Sequence, residues 1–207
     1  MGREFAADRR ALIPRPATEL IAATAFSTAK ERRAALLVDV GTGSGCIAIA
    51  AALALPGTAI FATDSSASAL ALARKNARLH DVGSIAIFRK GDLLLPARDS
   101  LIRADGPAII VANLPYIPAR SMRSLPPDLR REPRSALIGG PDGLAPSRRL
   151  LDQLAEGPRP PSDVFFEILP EQFAPLARDV RERFPDATTA PIKNHQGVVI
   201  GLHLQLQ

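Results

Sequence analysis

The chain has 207 residues, of which 26 are Lys or Arg and 21 are Asp or Glu, giving a net charge of +5, with 46% hydrophobic residues and one cysteine. A chain of this length and hydrophobic content can bury one core without crosslinks, which excludes a disordered or fibrous protein and favours a single domain over residues 1–207. One cysteine and three scattered histidines give neither a disulfide nor a cluster with metal-ligand spacing, so we expect no metal.

The apolar runs and the first residues bear on location. The longest apolar run, 46–55, is shorter than the roughly 20 residues that cross a bilayer. The first residues lack the apolar stretch of a signal peptide, and Ala6 stands where a myristoylation motif needs Ser or Thr. We therefore expect a cytoplasmic chain without a membrane partner. The basic charge leaves a nucleic-acid partner open, although the basic residues are interspersed with acids.

Strand and helix patterns alternate after a lead-in and a helix within residues 1–33, as in a parallel α/β sheet. Short apolar runs predict strands, and alanine-rich or amphipathic stretches predict helices. In chain order these are a strand at 36–40, a helix at 44–55, a strand at 58–63, a helix at 66–80, and strands at 84–89 and 107–112.

Residues 114–146 contain seven prolines and three glycines, which favours a long loop over one sheet edge. After it we predict a helix at 147–156, a strand at 163–168, a helix at 171–184, and strands at 187–192 and 197–206. The last two strands are separated by a short turn and must pair antiparallel. The predicted core, 34–207, is α/β: a Rossmann-like mixed sheet of seven strands with one antiparallel strand.

A glycine-rich turn follows the first predicted strand. Missing side chains at such a turn let a ligand approach the backbone closely. The spacing differs from that of a dinucleotide-binding loop, and no lysine follows the glycines as in a triphosphate-binding loop. We assign to this cofactor loop Asp39, Gly41, Thr42, Gly43, Ser44 and Gly45.

Two further acids complete an adenosine site. Asp64 ends the second predicted strand, where a carboxylate can accept both hydroxyls of a ribose. Asp92 follows the third strand and can accept the adenine amino group, while Leu93 covers the ring. An adenosine ligand without phosphates indicates S-adenosylmethionine, and the pattern resembles class I S-adenosylmethionine-dependent methyltransferases.

The tetrapeptide Asn113-Leu114-Pro115-Tyr116 follows the fourth predicted strand. It resembles the Asn-Pro-Pro-Tyr motif of methyltransferases that modify planar nitrogens, either an amide or the exocyclic amine of a base. An amide nitrogen is a poor nucleophile, so positioning must dominate catalysis. Beside the cofactor, the Asn113 side-chain oxygen and the Leu114 carbonyl can each accept one N–H. Pro115 keeps residue 114 extended, and the Tyr116 ring can pack on the amide plane.

The Asn-Leu-Pro-Tyr form is familiar from ribosomal RNA adenine dimethylases, which keeps a base amine open as the substrate. Three other segments, 12–19, 132–144 and 166–172, resemble the protein-(glutamine-N(5)) methyltransferase family, also called release-factor glutamine methyltransferases. The resemblance extends from residue 2 to residue 204. It implies methylation of the glutamine in the Gly-Gly-Gln motif of a peptide-chain release factor, with S-adenosylhomocysteine as product. The small helical domain that precedes this region in typical members is not in the chain.

The resemblance also implies a substrate pocket walled by Arg15, Pro16, Thr18 and Glu19, although Thr18 and Glu19 equally suit the capping of a helix. Ala17 replaces a glutamate common in the family. Two alternatives to the amide methyltransferase stay open. One is an RNA or DNA methyltransferase acting on a base amine, and the other is a non-catalytic module that binds the cofactor.

Overall fold

The structure is a computed structural model that describes residues 4–157 and 159–206. Within these residues one sheet has the strand order β3-β2-β1-β4-β5-β7-β6. The first five strands are parallel, and β7 is antiparallel to both of its neighbours, β5 and β6. The strands are β1 (Leu36–Val40), β2 (Ala59–Asp64), β3 (Ala86–Lys90), β4 (Ala108–Ala112), β5 (Asp163–Glu167), β6 (Thr188–Lys193) and β7 (Val199–Gln205).

Helices cover both faces of this sheet because neighbouring strand residues point to opposite sides and both sides are apolar. Leu37 belongs to one buried cluster and Val38 to the other. The first cluster is covered by α1 (Pro16–Glu31), α2 (Cys46–Ala54) and α3 (Ala67–Leu79), and the second by α4 (Arg98–Arg103), α6 (Ala145–Ala155) and α7 (Phe173–Arg183).

The predicted seven-stranded mixed sheet with one antiparallel strand is confirmed. The prediction that 114–146 is an irregular loop is wrong in part, because this segment contains 3-10 helices at Ala119–Ser124 and Leu129–Arg131 and the short helix α5 (Arg134–Leu137). Pro118 and Pro133 occupy the N-cap positions of two of these elements. A proline is tolerated at a helix start because it lacks an N–H only where an N–H would have no helical partner.

The lead-in and the sheet share one core. Ile21 and Ala25 of α1 are buried in the cluster that also contains Leu37 and Ile109 of the central strands. Residues 1–3 of the lead-in lie outside the described residues, and the single domain over 1–207 stays a prediction. In residues 4–157 and 159–206, no helix combines the length and hydropathy of a membrane span.

Candidate functional site

A cleft of about 560 Å³ opens at the carboxyl ends of the central parallel strands, where α/β sheets place their ligands. The turns after β1, β2, β3 and β4 line this cleft. Residues of the lead-in and of the segment 114–146 also line it, namely Arg9, Arg10, Ala11, Leu12, Pro14, Pro133, Ser135, Ala136 and Ile138. Most of the residues assigned from sequence thus meet in one cavity.

The glycine loop forms the floor of the cleft. Gly41 has a φ of +75°, and a Cβ there would lie 2.9 Å from the Leu114 Cδ2 atom, so the backbone conformation and the contact both require glycine. Gly41, Thr42, Gly43 and Ser44 line the cleft, whereas Asp39 and Gly45 are not among its lining residues. This separates the six residues assigned to the cofactor loop into four that face the cavity and two that support it.

Asp39 lies beneath the loop and holds its shape. Its Oδ2 atom accepts hydrogen bonds from the Thr42 hydroxyl at 2.6 Å and from the Ala48 amide at 3.1 Å. Burial raises the pKa of Asp39 to about 7, although both hydrogen bonds favour the charged form. The carboxylate therefore ties the loop to the first turn of α2.

Asp64 joins the glycine loop to the start of α3. One carboxylate oxygen accepts the Gly43 amide at 2.9 Å, and the other accepts the Ser66 amide at 2.8 Å. Asp64 also lines the cleft. Since a carboxylate has about four acceptor positions, two remain for hydroxyl groups of a ligand.

Asp92 is held by two side chains of α6 that sequence reasoning did not identify. It forms an ion pair with Arg149 and accepts a hydrogen bond from the Gln153 Nε2 atom at 3.0 Å. Asp92, Leu93 and Arg149 line the cleft, and Leu93 has a φ of +48°. Arg149 and Gln153 are four residues apart on a predicted helix, and this spacing indicates from sequence alone that they share one face.

The reaction motif leaves β4 at the inner wall of the cleft. Asn113, Leu114 and Pro115 line the cavity, and Leu114 is also buried in the core. The Asn113 Nδ2 group donates a hydrogen bond to the Thr18 hydroxyl at 3.0 Å. Tyr116 is not among the lining residues, and its hydroxyl donates to the Glu167 carboxylate at 2.9 Å. The structure thus points the polar end of the tyrosine into the protein.

Glu167 is a site residue to which the sequence reasoning gave no role, although it lies in one of the segments that carry the resemblance. It ends β5 and is 3% exposed. Burial raises the pKa of Glu167, and hydrogen bonds from Thr18 and Tyr116 partly offset this. Burial and the charge of Glu167 together raise the pKa of Tyr116.

The four lead-in residues separate in the structure. Thr18 lines the cleft, whereas Arg15, Pro16 and Glu19 are not among its lining residues. Arg15 is the N-cap residue of α1 and forms an ion pair with Glu132. The capping alternative is wrong for Thr18, because its hydroxyl donates to Glu167 at 2.7 Å and α1 has no side-chain cap.

The segments that resembled one family in sequence converge on the reaction motif. The Gln172 Nε2 group donates to the carbonyl oxygens of Tyr116 at 2.8 Å and Asp142 at 2.9 Å. Gly143 has a φ of +84°, and a Cβ there would overlap the Tyr116 carbonyl. The Ile117 amide donates to the Leu137 carbonyl at 2.9 Å. Backbone contacts of this kind fix the path of the chain just after Asn113.

Comparisons with known proteins identify the family of the chain. The family model described as ribosomal protein L11 methyltransferase (PrmA) matches residues 16–136. A release factor glutamine methyltransferase from Geobacter sulfurreducens is 36% identical over 202 residues, covering 97% of this chain and 68% of the relative. A release factor glutamine methyltransferase from Moorella thermoacetica is 38% identical over 172 residues, covering 83% of this chain and 59% of the relative. This chain spans about three fifths of the length of several such relatives.

Among solved structures, the hMettl16 catalytic domain in complex with the MAT2A 3'UTR hairpin 6 matches with a TM-score of 0.77 at 16% identity, covering 100% of this chain and 76% of that one. The N-terminal domain of human METTL16 in complex with SAH matches with a TM-score of 0.61 at 16% identity, covering 100% of this chain and 76% of that one. At this identity the likeness concerns the fold. The chain has a class I methyltransferase fold and, by its curated relatives, belongs to the release factor glutamine methyltransferase family.

Proposed function

We propose that this protein transfers a methyl group from S-adenosylmethionine to the side-chain amide of a glutamine, in the Gly-Gly-Gln motif of a peptide-chain release factor. One observation carries the proposal. A Cβ on Gly41 would lie 3.6 Å from the Asn113 carbonyl oxygen, so the cofactor loop and the reaction motif are in contact within one cleft. A methyl donor on the loop and an amide held at Asn113 would therefore be neighbours.

The residues of the cleft fit S-adenosylmethionine. The cleft has a volume of about 560 Å³, which is in the range of small-molecule sites, roughly 300–1,000 Å³. The glycine loop would hold the amino acid part, Asp64 the ribose hydroxyls, and Asp92 with Leu93 the adenine. The cofactor would supply an electrophilic methyl group.

The chain itself would bind and orient the glutamine amide. Asn113 and the carbonyl of Leu114 are the acceptors proposed for the two amide N–H groups, and Pro115 restricts the backbone of residue 114. Tyr116, whose hydroxyl is bound to Glu167, would support this wall of the pocket by its ring. Because the amide lone pair is delocalised, holding the nitrogen against the methyl group is the main contribution to the rate.

The release factor as substrate is supported by the names of the relatives that cover most of the chain. The family model carries the name of another protein substrate, ribosomal protein L11, and Leu114 in the motif leaves a base amine as the second candidate. These substrates differ in chemistry, so one assay separates them.

The test measures transfer of tritiated methyl from S-adenosylmethionine to purified release factor, ribosomal protein L11 and ribosomal RNA. We expect labelling of the release factor, with mass spectrometry locating one methyl group on the glutamine of its Gly-Gly-Gln motif. Labelling of the RNA alone, or of L11 alone, would contradict the proposed substrate. Absence of transfer to all three would favour the non-catalytic module.

Asn113→Ala provides the matching test of the site. We expect methyl transfer to fall about 100-fold, because an oriented attack is lost. Binding of S-adenosylhomocysteine, measured by calorimetry, should stay within a few-fold. Asn194→Ala is the control, since Asn194 binds backbone amides in the turn between β6 and β7, and its methyl transfer should equal that of the parent protein.

A further inference from the structure

We propose that Glu167 is a positioning residue that fixes, through Thr18, which end of the Asn113 amide faces the substrate. This inference rests on the proposed function, because it concerns the acceptor that would hold the glutamine amide. It adds a role for a buried carboxylate that does not itself line the cleft.

The three residues form one chain of hydrogen bonds that leads from the core to the cavity. Glu167 ends β5, and its Oε2 atom lies 2.7 Å from the Thr18 hydroxyl of α1. The same hydroxyl lies 3.0 Å from the Nδ2 atom of Asn113, which lines the cleft. The second carboxylate oxygen of Glu167 accepts the hydroxyl of Tyr116.

The direction of these hydrogen bonds follows from counting protons. An ionised carboxylate only accepts, and the hydroxyl of Thr18 has a single proton, which goes to Glu167. The Thr18 oxygen can then only accept, so Asn113 must present its NH₂ group to it. The Asn113 oxygen is left as the acceptor for a substrate N–H.

Packing alone would not select this orientation. The oxygen and nitrogen ends of an asparagine amide have nearly the same shape, and hydrogen bonding decides between them. With the amide reversed, the Asn113 oxygen would face the lone pairs of Thr18 while the NH₂ group faced the substrate amide hydrogens. Neither contact would then be a hydrogen bond.

The negative charge of Glu167 fixes the direction of these hydrogen bonds and so the orientation of the Asn113 amide. Since Tyr116 donates to Oε1, a proton on Glu167 would occupy Oε2 and donate to Thr18. The Thr18 proton would then be free to turn to the Asn113 oxygen, and the amide would reverse. Burial raises the pKa of Glu167, and the positive charge of Arg15 opposes this.

Among the described residues, Thr18 of α1 and Tyr116 after β4 donate hydrogen bonds to Glu167. Arg15 before α1 and the Cys46 thiol of α2 interact with it electrostatically. Burial raises the pKa of Glu167. As the pH is lowered, methyl transfer should therefore begin to decline at a higher pH than it would if Glu167 had the ordinary pKa of a glutamate. Replacing Glu167 should remove this part of the pH profile.

The kinetic test compares four variants. Glu167→Gln and Thr18→Val should lower kcat about 10- to 100-fold, as for a misaligned reacting group, with the affinity for S-adenosylhomocysteine within a few-fold. Thr18→Ser keeps the hydroxyl and should retain kcat within about threefold. Thr24→Val is the control on the same helix, because the Thr24 hydroxyl binds the Leu20 carbonyl, and it should leave kcat unchanged. Equal kcat for Thr18→Val and Thr18→Ser would overturn the proposal.

A spectroscopic test needs no turnover. The chain has three asparagines, so labelling with ¹⁵N-asparagine gives few side-chain NH₂ signals. We expect a nuclear Overhauser effect between the Asn113 NH₂ and the Thr18 methyl in the parent protein, and its loss in folded Glu167→Gln. An undiminished effect in that variant contradicts the role of Glu167. Because this measurement needs no methylated substrate, it tests the role of Glu167 even if the proposed function is wrong. Failure of the proposed function would show instead in the methyl-transfer assay.

Discussion

At the scale of single residues, Gly41 shows how closely the cofactor loop and the reaction motif are packed. Its backbone has a φ of +75°, and the Leu114 side chain occupies the position that a Cβ would approach. The Leu114 side chain is therefore packed both in the core and against the loop. A leucine at this position of the motif therefore supports the loop that we propose as the cofactor site.

We expect Gly41→Ala to weaken S-adenosylhomocysteine binding by about tenfold and to destabilise the fold. The backbone conformation alone disfavours alanine by about 1–2 kcal/mol, and the approach to Leu114 at 2.9 Å must in addition be relieved by a shift. Calorimetric titration and urea unfolding measure the two effects.

Gly57→Ala is the matched control, because Gly57 has a φ of +87° but no atom lies within 4 Å of the position that a Cβ would take there. It should lose about 1–2 kcal/mol of stability and bind S-adenosylhomocysteine normally. Unchanged cofactor affinity in Gly41→Ala would show that the contact with Leu114 can relax without moving the loop.

At the scale of elements, the 3-10 helix Pro170–Gln172 lies between β5 and α7 and contacts the segment 114–146 through Gln172. The side chain of Gln172 is 3% exposed and uses its donors on the Tyr116 and Asp142 carbonyls and its acceptor on the Leu169 amide. One side chain therefore holds the backbone after the reaction motif against the glycine-rich turn at 139–143.

Gln172→Glu should destabilise the protein by about 2–3 kcal/mol, because a buried carboxylate cannot donate and two carbonyls lose their partner. Methyl transfer should fall with it, since the path of residues 115–117 loosens. Urea unfolding and the methyl-transfer assay provide the measurements. The neighbouring variant Glu171→Gln, at an exposed position, should stay within about 0.5 kcal/mol of the parent; similar losses in both variants would contradict the role of Gln172.

The sheet was predictable because its central strands are short, mostly apolar runs bounded by turn residues. The short helices in 114–146 were not, since prolines count against helices except at their N-terminal ends, where Pro118 and Pro133 occupy the N-cap positions. Glu167 was also missed. Its partners Thr18 and Tyr116 are 149 and 51 residues away, and no spacing in the sequence reports such contacts.

At the scale of the whole molecule, a cluster of polar side chains ties the end of α1 to strands β5 and β7. Asp163 at the start of β5 is fully buried and pairs with Arg32, which follows α1, at 2.6 Å and with His203 of β7 at 2.8 Å. The His203 ring also stacks on Phe165 with ring centres 4.3 Å apart. Helix α1, which carries Thr18, is thus held at its carboxyl end by residues of the sheet.

This cluster predicts how stability depends on pH. Burial by itself would raise the pKa of Asp163, but the hydrogen bonds from His203 and Arg32 outweigh it and hold the pKa below its usual value. A carboxyl group with a lowered pKa in the folded state stabilises the fold above its unfolded pKa of about 3.9. That contribution is lost as the pH falls from there through the folded pKa.

Asp163→Asn should therefore lower the free energy of unfolding by about 2 kcal/mol at neutral pH, as for lost hydrogen bonds to a charged group. The deficit should shrink as the pH falls below about 4, because the parent protein then loses the same contribution. Urea unfolding at several pH values measures this, with exposed Asp186→Asn as the control, expected within about 0.5 kcal/mol of the parent. A deficit that stays constant down to acid pH would mean that the charge of Asp163 does not hold α1 to the sheet.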